Sequence, residues 1–163
     1  MTFRIGLVSD THGLIRPEVV TALAGCDALL HAGDIGTLEV LETLQRLAPL
    51  HAIRGNVDRG SELAHVPEVR NLMLGGIRIH LVHRPQDVRE PAARAADVVI
   101  CGHSHRPRVD RVFGTLRINP GSAGPRRFSL PISVGILDVT EGRCRPHLIT
   151  LGGPPRPQTQ PGA

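Results

Sequence analysis

Cys101-Gly102-His103-Ser104-His105 sets two imidazoles two residues apart, directly after the apolar run Asp97-Val98-Val99-Ile100. Imidazole is the commonest metal-ligating side chain, and two of them at the mouth of a buried strand face one point only if something there holds both. Gly102 lets the backbone turn without a Cβ clash, and Ser104 keeps the crossing small and polar. Other apolar runs stop in the same manner. Asp10 and His12 follow Phe3–Ser9, Asp34 follows Ala28–Ala32, Asn56 follows Leu50–Arg54, and His83 follows Ile77–Val82. Carboxylate, amide and imidazole donors without thiolate suit a borderline or hard divalent ion such as manganese, iron, cobalt, nickel or zinc, and argue against a Cys-rich structural zinc site. These seven donors exceed the four or so of one tetrahedral ion; they fit two ions sharing a carboxylate.

The elements that must position these residues can be read in chain order. Phe3–Ser9 is a mostly apolar strand that delivers Asp10 to its C-terminal end, where open α/β sheets bind ligands. Pro17 opens a helix with Val19, Val20 and Leu23 on one side and Gly25 as its stop. A second strand, Ala28–Ala32, leads to a helix over Thr37–Leu47, whose leucines recur at helical spacing up to the break before Pro49. Leu50–Arg54 completes a strand, helix, strand, helix, strand rhythm that predicts a parallel sheet. After Asn56 the rhythm changes. Arg70–Leu74 and Ile77–Val82 flank Gly75-Gly76 as a β-hairpin, Pro85–Ala96 reads as a short helix or loop, and strands follow at Asp97–Ile100, Val109–Phe113, Leu116–Ile118, Ile132–Val139 and Arg143–Leu151. The whole reads as one domain over residues 1–151. Residues 152–163, Pro- and Gln-rich, have little to bury and are expected to form a disordered tail.

Composition narrows the function classes. Hydrophobic residues make up 40% of the 163, but aromatics only 2%, so the core must be built from Val, Leu, Ile and Ala, which favours a sheet. The net charge is +4, yet all 19 basic residues are scattered arginines, with no aromatic-studded groove for base stacking. Nucleic acid is therefore expected only as a substrate. Three cysteines, at 26, 101 and 144, without a CxxC, indicate neither a disulfide framework nor a zinc ribbon. Without a leader-like apolar segment or a run long enough to span a bilayer, the reading is a cytoplasmic protein with no membrane partner.

The ordered set Asp10-Thr11-His12, His31-Ala32-Gly33-Asp34, Gly55-Asn56-Val57-Asp58, His83, Gly102-His103-Ser104-His105 and Asn119-Pro120-Gly121-Ser122 resembles the calcineurin-like metallophosphoesterase superfamily, and within it the short YfcE-type phosphodiesterases. The resemblance spans almost the whole chain except the tail. It implies an α/β fold, a metallophosphatase-like two-sheet β-sandwich flanked by helices in four layers (αββα). It implies that Asp10, His12 and His105 hold one ion, that Asn56, His83 and His103 hold the other, and that Asp34 bridges them. It further implies catalytic roles for Asp34, Asn56 and His83, two divalent cations with Mn2+ ahead of Ni2+, Co2+, Fe2+ or Zn2+, and hydrolysis of a small phosphodiester or phosphomonoester. Two such cations roughly 3.5 to 4 Å apart lower the pKa of a shared water and stabilise charge in an in-line displacement at phosphorus.

This sequence departs from the family pattern at two places. Val57 follows Asn56 where larger members carry a His that assists the leaving group, which points to the YfcE-type branch. His83-Arg84-Pro85 stands where the family usually continues with Gly, and it sets Arg84 near the second ion, within reach of a substrate phosphate.

Structural roles compete at several other positions. His31 and His80 lie within strands and read as satisfied structural residues, and His51, His65 and His147 are assigned the same way. Asn119–Ser122 reads as a turn that shapes the pocket, while Arg59, Arg126 and Arg127 read as solvated surface residues. Asp58 either caps a turn or orients a ligand histidine. The rival to catalysis is a scaffold of the same fold that binds proteins, as the retromer subunit resembling this family does. Exposed sheet edges invite pairing and so leave room for a homodimer or higher homo-oligomer.

Overall fold

The computed structural model describes residues 1–152. The strand β1 (Phe3–Val8) is buried from Ile5 on, the short strand β2 (Ala28–His31) is buried throughout, β3 (Leu50–Ala52) is partly buried at the sheet edge, and later β6 (Val98–Ile100) is again buried throughout. Covered strands of this kind run parallel. β1, β2 and β3 pair parallel in that order, linked by α1 (Pro17–Leu23) and α2 (Leu38–Gln45). The long strands β9 (Ile132–Thr140) and β10 (Arg143–Gly152) extend this sheet antiparallel from the free edge of β1, giving the order β10-β9-β1-β2-β3. Gly152, expected to begin the tail, instead ends β10; the remainder of the tail, residues 153–163, lies outside the described residues.

The second sheet has the order β4-β5-β6-β8-β7. β4 (Val69–Leu74) and β5 (Ile77–Val82) form the hairpin that Gly75-Gly76 signals. β5, β6 and β8 (Thr115–Asn119) run parallel, and β7 (Arg108–Val112) closes the edge antiparallel to β8. The segment Pro85–Ala96, left between helix and loop by its sequence, forms a single 3-10 turn at Pro85–Asp87 and then α3 (Glu90–Ala95).

Alternation along the strands decides the layers. Ile5 and Leu7 of β1, Leu30 of β2, Ile77, Ile79 and Leu81 of β5, and Val98 and Ile100 of β6 all pack into one dry layer between the two sheets. Val8 and Leu29 point to the opposite face, against Val19 and Leu23 of α1 and Val40, Leu41 and Leu44 of α2. On the outside of the second sheet, Val82 and Val99 pack on Ala93 of α3. The result is the α/β/β/α four-layer sandwich. Each buried Leu, Ile or Val contributes about 1.5–3 kcal/mol through removal from water; the buried part of the central layer is aliphatic, with Phe3 partly buried against it. Because β1, β2 and β3 are parallel to one another, and β5, β6 and β8 likewise, the loops after these strands gather at one end. Hydrogen bonds tie them together: Asp10 N to Gly33 O at 3.0 Å, His12 N to Asp34 O at 3.0 Å, and Gly102 N to His83 O at 2.9 Å.

Candidate metal centre

The gathered loops carry all seven of the residues singled out by sequence. Ligating atoms of Asp10, His12 and His105 lie within 4.8 Å of one another, and so do those of Asp34, His83 and His103. Asp34 Oδ2 stands between the two groups, 3.6 Å from His12 Nε2 and 3.4 Å from His83 Nε2. Asn56 Oδ1 joins from the loop after β3, 3.1 Å from His83 Nε2. Asp10 Oδ1 is 3.3 Å from His105 Nε2 and 4.0 Å from His83 Nε2, so the first group also abuts the second.

Each carboxylate divides its work between its two oxygens. Asp10 Oδ2 accepts from Ser9 Oγ at 2.6 Å and from the His103 backbone N–H at 3.0 Å, which fixes the side chain, while Oδ1 is buried with no hydrogen-bond partner. Asp34 Oδ1 accepts from Val57 N at 3.1 Å and leaves Oδ2 facing the histidines. His83 Nδ1 donates to Ala32 O at 2.7 Å, so its Nε2 faces Asn56 Oδ1, Asp34 Oδ2 and His103 Nδ1, the last at 3.3 Å. Acceptors converging on one buried point are stabilised by positive charge among them: burial opposes a charge on His83, yet Asp34 and Asp10 raise its pKa, and a divalent ion in place of that proton would satisfy Asn56 and His103 as well. His12 Nε2, buried and without a hydrogen-bond partner, makes the same demand at the other group. A divalent ion therefore fits this donor set, and the lock on His83 by a backbone carbonyl is the arrangement that orients metal-binding histidines.

Electrostatics point the same way. Burial disfavours charge on Asp34, but the adjoining His83 imidazole, the Val57 N–H and His12 outweigh it and hold its carboxyl down at about 2. Asp10 is likewise lowered against its burial, by His105, His83 and Ser9. Burial pushes His12 and His103 below the usual imidazole range, which keeps them neutral and competent to ligate. Two lowered carboxylates beside the neutral imidazoles of His12 and His103 make this cleft the candidate functional centre.

The backbone at the site is unusual. Asp10, His12, Asp34, His103 and His105 all adopt φ between 47° and 70°, five of the eight non-glycine residues with positive φ among those described. Left-handed backbone costs about 1–3 kcal/mol per residue and persists where the surroundings over-determine it. Glycines make the close approaches possible. A Cβ on Gly55 would strike the Asp34 carboxylate and backbone, and one on Gly102 would strike Ser9 Oγ and lie 2.7 Å from Asp10 Oδ2.

Supporting residues were only partly foreseen. Asp58, fully buried, accepts from the backbone N–H groups of Ile35 (3.0 Å), Gly36 (3.0 Å) and Gly55 (2.8 Å). It clamps the Asp34 loop to the Asn56 loop, closer to the capping role than to orienting a histidine. Asn119 Nδ2 donates to Gly102 O at 2.9 Å and Ser104 Oγ at 3.1 Å, and Ser122 Oγ donates to Asp10 O at 3.1 Å, so the Asn119–Ser122 turn shapes the pocket as expected. His31 accepts from Gly33 N at 3.1 Å through Nδ1, and its Nε2 lies 3.0 Å from Thr11 Oγ1. His80 Nδ1 meets Asn71 Oδ1 at 2.8 Å. Both are satisfied structural histidines. Arg84 is held by Asp87 at 2.9 and 3.0 Å, on the rim of the cleft beside His83.

Comparison with known proteins bears on the sequence and the fold. The model of the calcineurin-like phosphoesterase superfamily domain matches residues 3–142. A probable metallophosphoesterase of Methanothermobacter thermautotrophicus is 31% identical, covering 92% of this chain and 94% of its own. The phosphodiesterase YfcE of Escherichia coli is 27% identical, covering 83% and 87% respectively. Among solved structures, an archaeal phosphodiesterase superposes with a TM-score of 0.73 at 24% identity, covering 90% of this chain and 99% of that one. Vacuolar protein sorting 29 of Cryptosporidium parvum superposes with a TM-score of 0.72 at 19% identity, covering 93% and 98%. With the family model matched over residues 3–142 and a relative 31% identical over most of both chains, the chain belongs to the calcineurin-like phosphoesterase superfamily.

Proposed function

We propose that this protein hydrolyses small phosphodiesters with the help of two divalent cations, Mn2+ being the first to test ahead of Ni2+, Co2+, Fe2+ and Zn2+. One observation carries the reading: two buried Asp/His groups lie side by side with Asp34 Oδ2 within 3.6 Å of a histidine of each. Asp10, His12 and His105 would hold one ion, Asn56, His83 and His103 the other, and Asp34 both. When bound, such a pair activates water near neutral pH and neutralises charge developing on the phosphoryl oxygens.

The chain's own residues supply the rest. Ser9 and the His103 N–H orient Asp10, Ala32 O orients His83, and Val57 N orients Asp34, so the donors are fixed before anything binds. Val57, 45% exposed at the rim beside Asn56, carries no proton to give a leaving group. Esters whose leaving groups depart readily are the favoured substrates, and phosphodiesters are preferred over phosphomonoesters by similarity to the relatives named above. Cyclic nucleotides, nucleic-acid ends and phospholipid fragments share the phosphodiester group, with alkoxide leaving groups that depart less readily than nitrophenolate.

The second reading is a protein-binding scaffold, favoured by the close superposition on vacuolar protein sorting 29. The filled donor set weighs against it, since a scaffold can lose ligands without penalty. Hydrolysis of bis-p-nitrophenyl phosphate, with and without each divalent ion, separates the two. Metal-dependent turnover supports the enzyme; no turnover with any ion would favour the scaffold.

A further inference from the structure

A cleft of about 250 Å³ is lined by Asn56 and His83, without Asp10, His12 or His105, and by four arginines: Arg54, Arg59, Arg84 and Arg89. Only two carboxylates, Glu68 and Asp87, face them there. Glu68 is shared, 3.0 Å from Arg54 and 3.5 Å from Arg59. Asp87 is taken up by Arg84, and among the described residues no acid lies within ion-pair distance of Arg89. Arg54 is the most fixed of the four. Its side chain is 26% exposed, it donates to Ala64 O and to Glu68 Oε1 (3.0 Å), and its Nε is buried without a partner.

Solvated surface arginines need no ligand, but these four share a concave wall with a net excess of two positive charges, where field lines concentrate. The acids hold Arg54 and Arg84 in place and leave guanidinium capacity over. Planar guanidinium groups match the oxygens of a phosphate in pairs. The wall adjoins the phosphoryl site on the side of Asn56 and His83, so an anion bound there would belong to the same molecule as the scissile group. The volume suits one small charged group with a ring or chain beside Val69 and Val82, not a duplex.

We propose that this cleft binds a second phosphate of the substrate, so that the preferred substrates are small phosphodiesters carrying a further phosphate on an organic group attached to the scissile phosphorus. The inference rests on the phosphodiesterase reading of the neighbouring site. The test compares thymidine 5′-(p-nitrophenyl phosphate) with the same ester bearing a 3′-phosphate, both with Mn2+, the released nitrophenolate being read in each case.

The 3′-phosphorylated ester is expected to show kcat/KM higher by about tenfold or more, since a charge-assisted hydrogen bond contributes at least that factor. The ratio should shrink toward one as salt rises from about 0.05 M to about 1 M, where the Debye length falls to about 3 Å. It should collapse in the Arg59→Ala/Arg89→Ala double variant and persist in Arg143→Ala/Arg145→Ala, which removes the same charge from exposed positions on β10. Equal kcat/KM for the two esters, or a ratio that falls as much with the β10 variant, would overturn the inference while leaving the phosphodiesterase reading intact. Hydrolysis of neither ester, nor of bis-p-nitrophenyl phosphate, would instead remove the reading on which it rests.

Discussion

Asp34 has the most demanding position of any residue in the centre, because its Oδ2 faces histidines of both groups while its Oδ1 is held by Val57 N. Asn at this position keeps the shape and the Oδ1 contact but removes the negative charge that would draw two cations together. Asp34→Asn is expected to lower bis-p-nitrophenyl phosphate hydrolysis by about 100-fold or more and to lose at least one metal equivalent. Full turnover with full metal content would remove Asp34 from the centre of the account. A second residue-scale effect comes from His31, which burial holds neutral with its pKa lowered to about 4. The unfolded chain takes up this proton near pH 6.5, whereas the folded chain resists until about pH 4, so acidification through that window favours unfolding. The shift corresponds to about 3 kcal/mol. Urea unfolding of the metal-free protein at pH 7 and at pH 4.5 should show the loss, and His31→Gln should flatten that part of the profile. The seven donors were legible because each follows an apolar run. The left-handed backbone at Asp10, His12, Asp34, His103 and His105 was not, since Asp and His, though enriched at positive φ, adopt it in only a small share of their positions.

At the scale of elements, the site is built by loops bound to one another rather than by any one strand. Asp58 joins the loop after β2 to the loop after β3 through three backbone N–H groups. Asp58→Ala would leave those donors buried without an acceptor and is expected to cost about 3 kcal/mol or more in urea unfolding, with weaker metal binding as a companion effect. A loss below about 1 kcal/mol would mean that the loops hold their places without the clamp. Gly55 makes a similar point sterically. Gly55→Ala must displace the Asp34 carboxylate, so the variant should bind metal more weakly even where circular dichroism shows an unchanged fold. The strands themselves were legible from alternation and turn residues, with ends shifted by a residue or two. Their order was not. β9 inserts beside β1, and β8 runs parallel next to β6, through pairings between residues more than a hundred and about twenty positions apart respectively, which no local pattern encodes. The helix at Glu90–Ala95 was ambiguous because Ala-rich sequence gives no apolar stripe, and its place is fixed instead by Ala93 packing on β5 and β6 neighbours Val82 and Val99.

The whole molecule is a sandwich whose two sheets bring four and three of the seven candidate ligands, so the candidate centre spans the layer between them. Asp10, His12, Asp34 and Asn56 come from the first sheet, and His83, His103 and His105 from the second. A cation held from both sides would bind the folded chain and not the unfolded one, which stabilises by linkage: about 2.7 kcal/mol at one hundred times Kd. Adding Mn2+ to metal-free protein should therefore raise Tm in a concentration-dependent way, and the rise should vanish in Asp34→Asn. Among the described residues no helix is long and apolar enough to cross a membrane. The most direct measurement is anomalous scattering at the manganese edge from crystals soaked in Mn2+. Two peaks are expected, one among Asp10, His12 and His105 and one among Asn56, His83 and His103, with the Asp34 carboxylate reaching both. No peak there, or a single ion with one group of side chains turned away, would contradict the account.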